Sequence, residues 1–100
     1  MWRLAIKVSE LASNSGRTLD LGETSVALFN VDGKFYAMQN ICIHRGGPLG
    51  EGSLDSGRVT CPWHAWEFDV KTGACLTMQG SQLKTYPTKV QNGEVFVEIC

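Results

Sequence analysis

The chain has 100 residues, 43% of them apolar and 19% charged, with nine basic and ten acidic residues and a formal charge of -1. This length suffices for one small domain with one core, and it excludes a core accompanied by a separate catalytic domain. The charges are spread without a run, which excludes a patch for nucleic acid or a membrane surface. The opening MWRLAIKVSE lacks the apolar run of a secretion signal, and no stretch reaches membrane-spanning length. We therefore expect a soluble, cytoplasmic protein.

The predicted elements are mostly strands. Short runs rich in Val, Ile, Phe and Tyr, many of them alternating apolar with polar residues, predict six or more strands. In chain order these runs are RLAIKV (3–8), SVALFNV (25–31), KFYAMQ (34–39), RVTC (58–61), WEFDV (66–70) and EVFVEI (94–99). The chain has no repeat, low-complexity segment or linker, so residues 1–100 are predicted to be a single domain. The fold class that fits best is all-β, an antiparallel β-sandwich.

Turn and helix signals complete this pattern. Asp-Gly at 32–33 and Asn-Gly at 92–93 predict tight hairpin turns, and Gly73 predicts a third turn after the strand through Phe68. Residues 9–13, SELAS, predict at most a single helical turn, capped by Ser9 or Ser13.

One segment departs from the strand pattern. Residues 40–57 contain five glycines, one proline and little alternation, which makes the segment longer than most hairpin connections and predicts a loop. Cys42 and His44 lie near its start, and the next predicted strand ends in Cys61 and His64. The spacing is C-x-H, sixteen residues, then C-x-x-H, and it uses both histidines of the chain.

Two mixed Cys-His pairs favour a metal site. Four cysteines could form two disulfides in a secreted module, but nothing in the sequence signals secretion, and clustered Cys and His in a cytosolic chain more often bind metal. A Cys2His2 zinc site is one alternative, although the usual zinc-finger order keeps like ligands together and a β-rich chain of this size should fold without zinc. The favoured alternative is a [2Fe-2S] cluster with two Cys on one iron and two His on the other.

These motifs resemble those of the Rieske iron-sulfur proteins. CIHRGGPL, beginning at Cys42, and CPWHAWEFD, beginning at Cys61, match the two halves of the family pattern, and the similarity continues through LKTYPTKVQNGEVFVEI. The resemblance implies one [2Fe-2S] cluster with Cys42, His44, Cys61 and His64 as ligands. It also implies a small cluster-binding subdomain, about residues 40–68, formed by two loops on a β-sandwich base.

The residues next to the ligands are expected to shape the cluster's surroundings. The set comprises Arg45, Gly46, Gly47, Pro48, Ala65 and Trp66. Glycines 46, 47, 50 and 52 would let backbone N–H groups approach the bridging sulfides, and Pro48 and Pro62 would stiffen the loops. Trp66 is a better candidate than Trp63 for shielding the cluster from water. Cys75 and Cys100 are not needed for the site, and we expect both to remain reduced thiols.

The resemblance also bears on the reduction potential. High-potential respiratory Rieske proteins carry an extra Cys in each loop, and a Ser and a Tyr that donate hydrogen bonds to the cluster. The corresponding positions here are Gly47, Trp63, Trp66 and Phe68, none of which can make those contacts. We therefore predict a potential near the lower end of the Rieske range, as in soluble Rieske-type ferredoxins.

The implied function is one-electron transfer, not catalysis. The expected partners are a flavin-dependent reductase and a terminal oxygenase of a dioxygenase system. The alternative is a Rieske-like small subunit of a cytoplasmic nitrite reductase, with the large subunit as partner. A zinc-bound interaction module is a third, less favoured alternative.

Overall fold

The computed structural model describes residues 2–22, 24–40, 49–61, 66–77 and 82–99, which form ten strands in three antiparallel sheets. The strands are β1 (Trp2–Lys7), β2 (Ser15–Leu21), β3 (Thr24–Val31), β4 (Lys34–Gln39), β5 (Ser53–Asp55), β6 (Arg58–Thr60), β7 (Glu67–Asp69), β8 (Thr85–Tyr86), β9 (Thr88–Gln91) and β10 (Glu94–Glu98). Their orders in the sheets are β1-β10-β9, β2-β3-β4-β8 and β5-β6-β7. The predicted all-β antiparallel fold is confirmed. In the described ranges, no helix is long and apolar enough to cross a membrane.

The four-stranded sheet lies between the two smaller sheets, and both of its faces are covered. Residues 26–30 of β3 are all buried, and the first four of them, VALF, form a continuous apolar run because both faces of the strand are covered. Val26 and Leu28 face the core shared with β1 and β10, and Ala27 and Phe29 face the core shared with β5, β6 and β7. The second of these cores contains Ala27, Phe29, Met38, Leu49, Val59, Cys61, Phe68, Val70, Cys75 and Leu83.

The predicted hairpin tips are confirmed. Asp32 and Gly33 have positive φ angles (52° and 91°) between β3 and β4, as Asn92 and Gly93 do (53° and 76°) between β9 and β10. Gly73 also has a positive φ, 81°, in the predicted third turn. These turns are local, so the two central residues suffice to specify them.

Two other local predictions need correction: the single helical turn is present but its serine cap was wrong, and the unbroken loop over 40–57 was wrong. The predicted helical turn is a 3-10 turn at Val8–Glu10, and the residue before it is Lys7, not a serine; the Lys7 backbone N–H donates to Glu10 Oε1 (3.2 Å). The predicted loop over 40–57 also contains a 3-10 turn, Leu49–Glu51, and the strand β5. Strand β5 pairs with β6 across a turn at Ser56 and Gly57, both of which have positive φ angles. A β-hairpin therefore lies between the two Cys-His motifs, where the sequence predicted only the strand at 58–61.

Candidate metal centre

The segment that carries Cys42 and His44, residues 41–48, has a hydrogen-bonded base. Asn40 follows β4 directly, and its carbonyl oxygen accepts a hydrogen bond from the Leu49 backbone N–H (2.7 Å). The two chain ends on either side of residues 41–48 therefore meet. Gln39, one residue earlier, donates its backbone N–H to the Lys84 carbonyl (2.8 Å), which extends the β4–β8 pairing to this level of the sheet.

The Asn40 side chain fixes that base to the rest of the fold. It is only 3% exposed, and its Oδ1 accepts hydrogen bonds from the Gly50 N–H (2.8 Å) and the Thr18 hydroxyl (3.1 Å). Its Nδ2 donates to Ser25 Oγ (3.1 Å), and its backbone N–H donates to the Ser25 carbonyl (3.2 Å). Each polar group of a buried amide that lacks a hydrogen-bond partner lowers the stability of the fold by about 1–3 kcal/mol. Asn40 therefore joins β2, the start of β3 and the 3-10 turn.

No sequence motif indicates a role for Asn40. Its partners Thr18 and Ser25 are 22 and 15 residues away, so its spacing from the Cys-His motif says nothing about them. The available signal was an amide residue ending an apolar strand directly before the first ligand motif.

The residues on either side of 62–65, the segment that carries His64, are also joined by a hydrogen bond. Cys61 follows β6 and is 1% exposed, and its backbone N–H donates to the Trp66 carbonyl (2.8 Å). This bond continues the β6–β7 ladder, in which Thr60 is opposite Glu67. Residues 62–65 thus begin and end at hydrogen-bonded neighbours, with the cysteine on the buried side.

The two hydrogen-bonded pairs, Asn40–Leu49 and Cys61–Trp66, lie at the same end of the core. The turn that begins at Leu49 ends against β6, because Gly52 donates its N–H to the Leu49 carbonyl (3.0 Å) and packs so closely that a Cβ on it would collide with the Thr60 carbonyl oxygen. Leu49 and Cys61 belong to one buried group of side chains. Leu49, which follows residues 41–48, and Cys61, which precedes residues 62–65, are therefore close in space although twelve positions apart in sequence.

One prediction about the glycines was wrong. Gly50 and Gly52 were expected to direct backbone N–H groups at the bridging sulfides, but the Gly50 N–H donates to Asn40 and the Gly52 N–H to Leu49. Both positions lack space for a side chain for a different reason. The α-carbon of Gly50 lies against β2 at Arg17 and Thr18, and that of Gly52 lies against β6.

Most of the predicted site residues lie outside the described residues. These are Cys42, His44, Arg45, Gly46, Gly47, Pro48, Pro62, Trp63, His64 and Ala65, and also Cys100; the predictions made for them stay predictions. Trp66 is described, is half-buried and packs against the group that contains Cys61, while its role as a cover for a cluster stays a prediction. Cys75 is 6% exposed in that group.

The described residues fit a metal group held between the two segments. Cys61 supplies a thiol at the buried end of one closed segment, its backbone N–H is already engaged with Trp66, and the base of the other segment is adjacent. A donor set of two thiolates and two imidazoles suits either zinc or an iron-sulfur cluster. Ligand type alone does not separate the two.

Comparison with known proteins separates them. The family model described as the Rieske [2Fe-2S] domain matches residues 1–87. The chain is 31% identical over 99 residues to the ferredoxin component of the naphthalene 1,2-dioxygenase system of Pseudomonas putida, covering 98% of this chain and 95% of that protein. It is 42% identical over 76 residues to the 3-phenylpropionate/cinnamic acid dioxygenase ferredoxin subunit of Escherichia coli (strain K12), covering 74% and 72% of the two chains.

Structural comparison agrees. This chain is similar to one chain of a solved structure, a complex of reduced oxygenase and oxidized ferredoxin in carbazole 1,9a-dioxygenase. The TM-score is 0.89 and the sequence identity is 30%, over 96% of this chain and 91% of that one.

Proposed function

Because the chain belongs to the Rieske [2Fe-2S] family, we propose that it is the ferredoxin of a dioxygenase system, passing electrons from a flavin-dependent reductase to a terminal oxygenase. Its cofactor is one [2Fe-2S] cluster, and the chain is an electron carrier and not an enzyme. The expectation of a Rieske-type electron carrier is thereby confirmed, and the zinc alternative is set aside. The observation that carries the proposal is the similarity, over 98% of the chain, to the ferredoxin component of a dioxygenase system, and the hydrogen bonds Asn40–Leu49 and Cys61–Trp66 beside buried Cys61 fit it.

We assign the ligands by motif position. Cys42 and Cys61 would bind one iron, and His44 and His64 the other. The support is chemical: each motif supplies one thiolate and one imidazole, and Cys61 is buried at the start of its segment. The cluster, when bound, takes up and returns one electron.

The mixed ligand set determines how readily that electron is accepted. Neutral imidazoles in place of two thiolates remove two negative charges from the oxidised cluster, so adding an electron costs less. This difference raises Rieske potentials to about -150 to +300 mV, against about -400 mV for plant-type clusters with four thiolates. Burial of Cys61 acts in the opposite direction, because the reduced cluster carries one more negative charge than the oxidised one and solvent on that side cannot stabilise it.

The proposed partners follow from the relatives. Two similar proteins are named as ferredoxins of dioxygenase systems, and a third similar chain comes from a complex of an oxygenase with its ferredoxin. A chain of this kind needs an electron donor as well as an acceptor, and a flavin-dependent reductase converts the two-electron chemistry of a nicotinamide into single electrons. We place this exchange in the cytoplasm, where thiol ligands stay reduced before the metal is loaded.

The test uses the tagged chain purified anaerobically from its own cells. We expect a flavoprotein and an oxygenase to co-purify, the reductase to reduce the cluster with NADH or NADPH, and the oxygenase to reoxidise it in single-turnover mixing. Co-purification of a large sirohaem subunit, with no reoxidation by an oxygenase, would instead identify a nitrite reductase component and contradict the proposal.

A further inference from the structure

Two asparagines are buried in the described part of the chain, and they lie at opposite ends of β3–β4. Asn30 is 6% exposed near the β3–β4 turn; its Nδ2 donates to the Leu11 carbonyl (2.9 Å) and its Oδ1 accepts from the Gly33 N–H (2.8 Å). Asn40, at the other end, is also buried (3% exposed), and its side chain likewise both donates and accepts hydrogen bonds. One is therefore close to the proposed ligands and the other is remote from them, with similar chemistry at both sites.

We propose that Asn40 is a positioning residue for the metal centre, holding the base of residues 41–48 so that Cys42 and His44 meet Cys61 and His64. The inference rests on the ligand assignment in the proposed function. It goes beyond that assignment because it attributes the arrangement of the two motifs to one buried amide that binds no metal itself.

The 3-10 turn at Leu49–Glu51 is held by the Asn40 side chain. Asn40 Oδ1 accepts the Gly50 N–H, and the Gly50 α-carbon lies against Thr18. Thr18 also donates its hydroxyl to the same oxygen (3.1 Å). One acceptor atom therefore sets the position of the turn relative to both β4 and β2.

The same turn also contacts the strand that leads to the second ligand motif. The turn continues into Gly52, which packs against Thr60, the residue before Cys61. A shift of the turn therefore changes the separation between Leu49, where residues 41–48 end, and Cys61. Movements well below one ångström matter to a bound metal, because its bond lengths are fixed within about 0.2 Å.

The position of the turn depends on one atom of the Asn40 side chain, Oδ1. Gly50 and Thr18 both need an acceptor, which is Oδ1. The remaining Nδ2 bond goes to a serine hydroxyl, which can act as donor as well as acceptor. An aspartate at this position can therefore keep all three side-chain bonds if that hydroxyl rotates to donate, whereas a leucine of similar size keeps only the two backbone bonds.

The experiment compares Asn40→Leu, Asn40→Asp and the remote control Asn30→Leu in the cluster-loaded protein. It measures iron and sulfide content, the rate at which a chelator removes iron from the oxidised protein, the electron paramagnetic resonance (EPR) spectrum after reduction, and the thermal midpoint. We expect iron release from Asn40→Leu to be about 10- to 100-fold faster than from the unmodified chain, the usual cost of losing a residue that orients a metal ligand. Its EPR lines should also broaden.

The other variants separate positioning from general stability. Asn30→Leu should lower the thermal midpoint about as much as Asn40→Leu but release iron at the unmodified rate. Asn40→Asp should retain the cluster and release iron at about the unmodified rate, because it keeps the acceptor oxygen for Gly50 and Thr18. Should Asn40→Leu fail to fold, Thr18→Val removes one of the two bonds to Oδ1 and should speed iron release by about two- to tenfold.

Two results would overturn the inference alone, with the proposed function intact. One is equal iron release from Asn40→Leu and Asn30→Leu; the other is loss of iron from Asn40→Asp as fast as from Asn40→Leu. An unmodified chain that binds no cluster would overturn the proposed function, and this inference with it.

Discussion

Gly50 offers the sharpest test of how the fold supports the metal centre. In Gly50→Ala the added Cβ would collide with the backbone of Arg17 and Thr18, and the turn can relieve the collision only by moving away from β2. Overpacking of this kind costs about 1–3 kcal/mol. The movement also weakens the bond from the Gly50 N–H to Asn40, which contributes about 1 kcal/mol.

The free energy of unfolding should therefore fall by about 2–4 kcal/mol in Gly50→Ala. For a chain of this length each kcal/mol lowers the thermal midpoint by about 4–8 °C, so we expect a decrease of at least about 8 °C. The matched control is Gly33→Ala. Gly33 has a φ of 91° with nothing within 4 Å of the position its Cβ would take, so its substitution strains the backbone without a collision and costs about 1–2 kcal/mol.

The assay follows two quantities in both variants: the thermal midpoint by circular dichroism, and the rate of iron loss to a chelator at 25 °C. Both variants should melt earlier, but only Gly50→Ala should lose iron faster, because only Gly50 lies in the turn that joins the two ligand segments. Equal rates of iron loss in the two variants would refute the reasoning, since the turn would then have no part in holding the centre.

Three further predictions concern the cluster and the core. The midpoint potential should lie below about +150 mV in a redox titration, because Trp66 and Phe68 carry no hydroxyl to donate to the cluster; a higher value would contradict this. His64→Cys should lower that potential, because a thiolate adds negative charge to the cluster, and an unchanged or raised value in the same titration would count against His64 as a ligand. Phe29→Ala should reduce the free energy of unfolding by about 3–5 kcal/mol in urea titration, since the ring is fully buried in the core that also contains Cys61; a loss below about 1 kcal/mol would contradict that packing.

The parts of the fold that could be predicted are those whose cause is local. The Asp32–Gly33 turn is specified by its own two residues. The apolar run at 26–29 in β3 predicts a buried strand without knowledge of the elements that cover it. Strand β2 was not predicted because Ser15–Leu21 mixes polar and apolar residues; it is a strand because it pairs along its whole length with β3. Strand β5 is three residues long among glycines, and its pairing with β6 is what defines it.

The candidate site shows the same division. Its two Cys-His motifs are recognisable because the ligands that a metal needs must be particular residue types at short spacing. The residues that hold those motifs in place were not recognisable. Asn40 and Gly50 act through partners in β2 and β3 that only folding brings near, and Gly50 was given the wrong role because the destination of its N–H depends on those partners.

The central claim is that this chain carries electrons on a [2Fe-2S] cluster bound by two cysteines and two histidines. The chain has only two histidines, so labelling histidine with ¹⁵N marks His44 and His64 and nothing else. In the reduced, labelled protein, pulsed EPR should show the cluster signal with hyperfine coupling to two histidine nitrogens. A silent spectrum from anaerobically purified protein, or a cluster signal without nitrogen coupling, would contradict the claim.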